Sequence, residues 1–300
     1  MAPSIANPAP SAPKPKPLPK WLQLRIAATE FGRARNSRRL GTGNVVQLPF
    51  KKIAKLDVPR NEIEAMEFVR SNTTVPVARS TCVSISPDTK VMVSFSPLEG
   101  DDLQNLLSQM TYEQVASVVH ELAGYLNQLR SLSLPSLPPS KNKEGSKVTH
   151  IGGAKVDSRG FDHRFPEAEF GPFSSVADFH TFLRLGEPLG DLWSHAPAVL
   201  NTHGKPEGSY KVVFTHGDIA PRNIRVAKQK DGTYKITGII DWECAGWYPE
   251  YWEYTRMFYT GERDPWKKWF DAIEAEEGIQ KYKEERVAEE AIWERARMFE

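Results

Sequence analysis

Two apolar-alternating runs flank Asp231-Gly232, and the hairpin they imply constrains this chain more than any other feature of its sequence. Asp-Gly is a strong turn signal because a two-residue hairpin turn needs positive φ at its centre. The first run opens at Asn223 and continues Ile224-Arg225-Val226; the second, Ile236-Thr237-Gly238-Ile239-Ile240, closes on Asp241. In an antiparallel pair the start of one strand lies beside the end of the other. Asn223 and Asp241 are therefore expected side by side. Asp218 precedes Asn223 on a loop carrying Gly217 and Pro221, which can return its carboxylate to the same pocket. The expected result is two oxygen ligands, Asn223 and Asp241, beside a carboxylate free to act as a base. Mg²⁺ favours such sparse protein ligation, because it keeps waters and phosphate oxygens in its shell. Phosphoryl transfer needs the same parts: positioned phosphates, a metal and a group that orients the hydroxyl.

The remainder of the chain reads as an ordinary soluble globule, 40% hydrophobic and 26% charged. No apolar run is long enough to span a membrane, and the N-terminus lacks the apolar core of a secretory signal. Cys82 and Cys244 stand far apart outside any CxxC pattern, which argues against a disulfide framework or thiolate zinc site and suits a reducing, cytoplasmic setting. Net charge is +1, unevenly spread: residues 1–60 hold twelve Lys or Arg against Glu30 and Asp57, and the rest holds 27 basic and 36 acidic residues. No nucleic-acid-binding motif accompanies the basic front, so neither a nucleic-acid nor a membrane partner is expected, nor an obligate protein partner.

Residues 1–20, rich in Pro, Ala, Ser and Lys, are expected to form a disordered leader. A mitochondrial transit peptide is the alternative, opposed by the density of Pro. A short helix is expected from Trp21 to about Arg35, then two strands over Leu40–Leu48 and Lys51–Leu56. A helix follows over about Asn61–Ser71, and a strand over Val91–Phe95. After Asp101 the pattern turns helical. Thr111–Leu132 has a capping Thr111 and a stripe of Val115, Val118, Leu122, Tyr125 and Leu129. A loop is expected over Leu134–Lys147, with further helices over Ser175–Leu185 and from Ala272 to the end. The domains expected are the leader, a small N-lobe over 21–97 and a larger C-lobe over 98–300.

His216-Gly217-Asp218 with Asn223, followed by Ile240-Asp241-Trp242-Glu243, resembles the Brenner motif and metal-binding aspartate of the aminoglycoside phosphotransferase and choline kinase-like family. Phe170-Gly171-Pro172-Phe173 and the stretch Gly246-Trp247-Tyr248-Pro249-Glu250-Tyr251-Trp252-Glu253-Tyr254 resemble uncharacterised fungal members of it. The resemblance implies an α+β, bilobal, protein-kinase-like fold with a β-rich N-lobe and a mainly helical C-lobe. It implies Mg²⁺-dependent transfer of the γ-phosphoryl of ATP or GTP to a hydroxyl of a small molecule. Carried over by position, Asp218 is the catalytic base, Asn223 and Asp241 are the Mg²⁺ ligands, and His216 buttresses the loop. Lys55 in Ile53-Ala54-Lys55-Leu56 would hold the nucleotide phosphates, anchored by Glu62, with Glu64 the competing glutamate. Gly41 and Gly43 would lie over the nucleotide, and Ser96 and Leu98 at the inter-lobe hinge, where Pro97 removes one backbone donor. Two alternatives stay open: a nucleotide-binding pseudokinase, and a kinase-fold biosynthetic enzyme with different chemistry. Protein kinases are a poorer match, because Ala220 stands where they usually carry a lysine and Trp242-Glu243 follows Asp241.

The aromatic run Trp247–Tyr254 has two readings. Its rings could stack on an acceptor while Glu243, Glu250 and Glu253 attract an amino group; alternatively the run packs the C-lobe core. His120 and His180 fall on expected helices and read as structural. His150, His163, His195 and His203 occupy loop-like positions without metal-ligand spacing.

Overall fold

The computed structural model describes residues 45–47, 53–56, 58–85, 91–134, 150–162, 165, 168–259 and 266–297. The leader, the Trp21–Arg35 helix, Gly41 and Gly43, and nearly all of the Leu134–Lys147 loop lie outside the described residues.

A four-stranded antiparallel sheet comes first. It holds β1 (Val45–Gln47), β2 (Ile53–Leu56), β3 (Ser80–Ile85) and β4 (Val91–Phe95) in the order β1-β2-β4-β3. Lys55 on β2 faces Val45 on one side and Val93 on the other, while its neighbour Ala54 is fully buried. Between β2 and β3 runs α1 (Arg60–Asn72), which buries Ala65, Met66 and Val69 at helical spacing.

The chain then crosses to a second sheet through a short segment with two fixed points. Thr237 Oγ1 donates to Glu99 O at 2.7 Å, and Gly100 adopts φ +81° where a Cβ would lie 2.0 Å from Val226 O. Only glycine fits there. Strand β5 (Asp101–Asp102) joins β9 (Ile224–Lys228) and β10 (Tyr234–Ile239) in the order β10-β9-β5. The β9–β10 pair is the hairpin expected around Asp231-Gly232, with a register shift between Ile236 and Gly238.

After the short α2 (Leu103–Leu106), α3 (Tyr112–Arg130) is the longest helix described. It starts at Thr111 because a capping box forms: Thr111 Oγ1 accepts from Gln114 N and Gln114 Oε1 accepts from Thr111 N. Its buried stripe is Val115, Val118, Val119, Leu122, Ala123, Leu126 and Leu129. Tyr125, placed in that stripe by periodicity, is instead half-buried, with its hydroxyl on Glu121 at 2.9 Å.

Strands β6 (Gly160–Phe161) and β7 (Glu169–Phe170) form a small ribbon, and α4 (Val176–Leu183) and α5 (Pro197–His203) follow. His203 thus closes a helix and is buried, not looped as its spacing suggested. Strand β8 (Val212–Thr215) pairs antiparallel with β11 (Gly246–Pro249), so the aromatic run begins as a strand. It continues into α6 (Trp252–Met257), and Trp247, Tyr248, Tyr251, Trp252 and Tyr254 are all buried. The run therefore packs the core.

The helix expected from Ala272 to the end is two helices, α7 (Lys267–Ala275) and α8 (Lys283–Arg297). The break follows from local chemistry. Gly278 N donates to Glu276 Oε1 at 2.8 Å, and Lys281 Nζ donates to the carbonyls of Glu276 and Ile279 at 2.5 and 2.6 Å, so a side chain takes carbonyls that a helix would use.

Candidate active site

Lys55 stands at the centre of one half of the site. Its ammonium donates to Asp241 Oδ1 at 2.6 Å, Glu62 Oε2 at 2.9 Å and Glu243 Oε2 at 3.0 Å. Burial alone would lower the Lys55 pKa, but the three carboxylates outweigh it and hold the value well above that of a free lysine. Burial pushes Glu62 up to about 7, against the pull of Lys55. Of the two glutamates of α1 considered as partners of Lys55, Glu62 is the one bonded to it. Glu64 turns outward to Arg60 at 3.1 Å and Lys155 at 3.0 Å, while Glu62 turns inward to Lys55.

Asp218 anchors the other half. Arg222 Nη2 donates to its Oδ1 at 2.6 Å, and Asn223 Nδ2 donates to its Oδ2 at 2.8 Å and to its backbone oxygen at 2.9 Å. The loop that presents Asp218 is built from below by α6. Glu253 accepts from the backbone N–H of His216 at 2.6 Å and of Gly217 at 3.1 Å, and Arg256 Nε donates to Gly217 O at 2.9 Å. Burial raises the Glu253 carboxyl to about 7, although both N–H groups and Arg256 favour its charged form. Gly217 has φ +77°, and a Cβ there would lie 2.6 Å from Cys244 O, which explains the glycine between His216 and Asp218.

His216 joins the two halves. Asp218 N donates to its Nδ1 at 3.2 Å, so the ring proton sits on Nε2, which donates to Ile240 O at 3.0 Å. Burial holds this imidazole neutral by lowering its pKa. The ring also packs edge-on to Trp242 with centroids 4.5 Å apart. This is a buttress, fully buried and one backbone group away from both Asp218 and Asp241.

The hairpin delivers the expected juxtaposition. Ile224 pairs with Ile239, and Ile240 N donates to Asn223 O at 2.9 Å, which sets Asn223 against the residue before Asp241. Asp241 itself is left-handed, φ 68° and ψ 59°, a conformation that Asp and Asn tolerate best among residues with a Cβ and one found at functional turns. Glu62, Asp241 and Glu243 bring carboxylate oxygens within 4.8 Å of one another. With Asn223 Nδ2 committed to Asp218, its Oδ1 is the amide atom left for a ligand role. Carboxylate and amide oxygens suit a hard divalent cation, while the three carboxylates converge on the Lys55 ammonium, which donates to each of them.

Ser96 and Leu98 have other partners. Ser96 N donates to Arg79 O at 3.0 Å, and Leu98 packs on β10, where a Cβ added to Gly238 would lie 2.4 Å from Leu98 Cδ1. The three glutamates of the aromatic region are all engaged inside the protein, which corrects their reading as an amine-attracting rim. Glu243 is on Lys55 and Glu253 is on the His216 loop. Glu250 accepts from Lys211 N at 3.2 Å and lies 3.5 Å from Arg130 Nη2. Sequence reasoning also passed over Arg222 and Asn61. Arg222 is visible in the sequence only as an i,i+4 partner of Asp218.

A family model described as the phosphotransferase enzyme family matches residues 31–299. The chain belongs to this family. Solved structures of family enzymes share its fold at low sequence identity. The GDP and kanamycin complex of APH(2")-IIia is 13% identical, with a TM-score of 0.55 over 91% of this chain and 93% of that one. The GDP complex of wild-type aminoglycoside 2'-phosphotransferase-IIIa is 14% identical, with a TM-score of 0.51 over 91% and 93%. The apo form of a thermostable mutant of APH(4)-Ia is 16% identical, with a TM-score of 0.50 over 91% and 82%. No curated protein matches the chain. The fold of this phosphotransferase is thus the expected α+β, bilobal, kinase-like one. Among the described residues no helix is long and apolar enough to cross a membrane.

Proposed function

We propose that this phosphotransferase moves the γ-phosphoryl of ATP or GTP to a hydroxyl of a small molecule, with Mg²⁺. The observation that carries the reading is the convergence of Lys55, Glu62 and Asp241 in one hydrogen-bonded cluster, joined through His216 to a loop that presents Asp218. The nucleotide bound by its structural relatives supports it.

Lys55 binds phosphate oxygens, held in place by Glu62, whose side chain is buried at the back of the site. An ammonium has three donors, and Lys55 spends all three on carboxylates, so it must release at least one to receive a phosphate. Asp241 and Asn223 hold the cation, which supplies compensation for the charge on the phosphates. Ser96 and Leu98 belong to the segment between the two sheets, where the base is proposed to bind; Gly41 and Gly43, also proposed to contact the nucleotide, lie outside the described residues.

Asp218 orients the acceptor hydroxyl and takes its proton. Arg222 and Asn223 each fix one carboxylate oxygen, and a carboxylate has about four lone-pair sites, so capacity for the hydroxyl remains. The test is transfer of label from γ-labelled ATP or GTP to a library of hydroxyl-bearing metabolites, with products identified by mass. An added phosphate on an organic acceptor is expected. Label recovered only as inorganic phosphate, or nucleotide binding with no turnover at all, would refute the reading.

A further inference from the structure

Glu62 is useful to Lys55 only while the first turn of α1 stays where it is, and the residue before it fixes that turn. Asn61 is buried, and its amide is bonded on three sides. Nδ2 donates to the backbone oxygens of Glu243 at 2.9 Å and Ala245 at 2.8 Å, and Oδ1 accepts from Ala154 N at 2.8 Å. An amide side chain has two hydrogens to donate, and both are used.

The partners lie on two other segments. Residues 243–245 follow Asp241 after one intervening residue. Ala154 belongs to a stretch locked onto β11, since Gly152 N donates to Trp247 O at 3.1 Å and Trp247 N donates to Gly152 O at 2.9 Å. The fit is close enough that a Cβ on Gly153 would lie 2.5 Å from Asn61 Oδ1. Apart from the Lys55–Glu62 pair itself, the side-chain ion pairs of this turn, Arg60 and Lys155 to Glu64, involve exposed cations and contribute little. Buried amide bonds to backbone groups are the stronger restraint, because breaking them strands desolvated polar atoms.

In kinase-type phosphoryl transfer the lysine–glutamate pair must be formed, and movement of the helix that carries the glutamate is a common means of control. The Lys55–Glu62 bond is 2.9 Å long, and a helix displacement of about 1 Å would take it out of hydrogen-bonding range. We infer that Asn61 is a positioning residue that latches α1 to the segment after Asp241, so that the Lys55–Glu62 pair is assembled before nucleotide arrives. Nucleotide binding then requires no effector or covalent modification to bring the helix in. The inference rests on the proposed role of Lys55 and Glu62 toward the nucleotide.

The test is a double-mutant cycle read by isothermal titration with Mg·ADP on the full chain. The four proteins are the parent, Asn61→Ala, Glu62→Gln and the double variant. Each single change is expected to weaken binding on the order of tenfold, and the double variant to bind no worse than Glu62→Gln alone, because Asn61 acts through Glu62. A merely structural Asn61 would lower the melting temperature in both backgrounds and leave affinity unmoved, or add its loss independently; either result overturns the latch. Amide exchange in α1 should quicken in Asn61→Ala and stay at the parent rate in Glu62→Gln. Should Asn61→Ala fail to fold, Asn61→Ser, which can keep one of the three bonds, carries the same cycle. If Glu62→Gln leaves affinity unchanged, the nucleotide role of Lys55 and Glu62 falls, and the latch with it. If Glu62→Gln weakens binding and Asn61→Ala does not, only the latch fails.

Discussion

A stacked pair of histidines in the helical part of the protein should make its stability sensitive to mild acid. His180 on α4 and His203 on α5 are buried, with ring centroids 3.9 Å apart and planes within 6°. Arg184 Nη1 lies 2.8 Å from His203 Nδ1. Guanidinium can only donate, so that nitrogen carries no proton and the ring is neutral. His180 Nε2 meets the Tyr251 hydroxyl at 2.8 Å, and Glu289 Oε1 lies 3.5 Å from His203 Nε2. Burial, then repulsion from His203 and Arg184, lowers the His180 pKa from 6.5 to about 2, and burial with Arg184 lowers that of His203 to about 3. Because the folded values lie below 6.5, the unfolded chain takes up protons first as pH falls. The stabilisation is complete above pH 6.5 and is lost progressively below it. At pH 5 the loss is about 2 kcal/mol for each ring relative to pH 8. Glu62 and Glu253, raised to about 7, act in the opposite direction between pH 7 and 4.5, so parent and variant must be compared at each pH. The assay is urea unfolding of the parent and His203→Gln from pH 8 to pH 5. The Gln carbonyl can accept from Arg184 and does not titrate. The stability advantage of the parent should shrink by about 2 kcal/mol across that range. A difference that stays constant, or that grows toward acid, would refute the assignment of a neutral buried pair.

Three further outcomes are expected. Lys55→Ala and Glu62→Gln should both weaken Mg·ATP binding measured by isothermal titration, whereas Glu64→Gln, whose carboxylate faces Arg60 and Lys155, should change it by less than about twofold. Asn223→Ala and Asp241→Ala should each lower affinity for the Mg·nucleotide more than for nucleotide in chelator, because each removes an oxygen ligand; equal losses under both conditions would contradict the metal-ligand role. Gly246→Ala should destabilise the protein by about 1–3 kcal/mol in urea unfolding, since its Cβ would lie 2.0 Å from Gly152 O and force β11 away from the stretch that holds Asn61.

The parts of this fold that were legible in the sequence are those fixed locally. Asp231-Gly232 dictates its hairpin, Thr111 its helix start, and the short apolar run Val91–Phe95 its strand. The hairpin alone suffices to bring Asn223 to the residues beside Asp241. What was illegible depends on partners distant in sequence. Nothing near Gly246–Pro249 announces a strand, because its alternation is lost when both faces are buried and its partner is Val212–Thr215. Glu243, Glu250 and Glu253 look alike as a row of acids near aromatic rings. Only the packing of α6 beneath the His216 loop and of β2 above Asp241 separates a loop clamp from a lysine partner. Asn61 carries no signal at all, since an amide in the first turn of a helix is ordinary until Glu243, Ala245 and Ala154 are seen around it. The break between α7 and α8 escaped for a different reason: Gly278 is a weak marker unless Glu276 and Lys281 are known to turn onto the backbone.

The most direct test of the central claim is the steady-state phosphoryl transfer of Asp218→Asn, measured with Mg·ATP and the acceptor found by metabolite screening, or with water as a slow acceptor. The amide is nearly isosteric with the carboxylate, so the loop held by Glu253 and Arg256 keeps its shape and nucleotide affinity should stay within about twofold. It cannot take the hydroxyl proton, and positioned acid–base groups contribute about 10²–10⁴-fold in rate. The loose transition state of phosphoryl transfer places the expected loss toward the lower end of that range. Asp218→Asn that binds Mg·ATP like the parent and turns over about a hundredfold more slowly supports the site. Asp218→Asn that transfers phosphate at the parent rate contradicts it, whatever the fold.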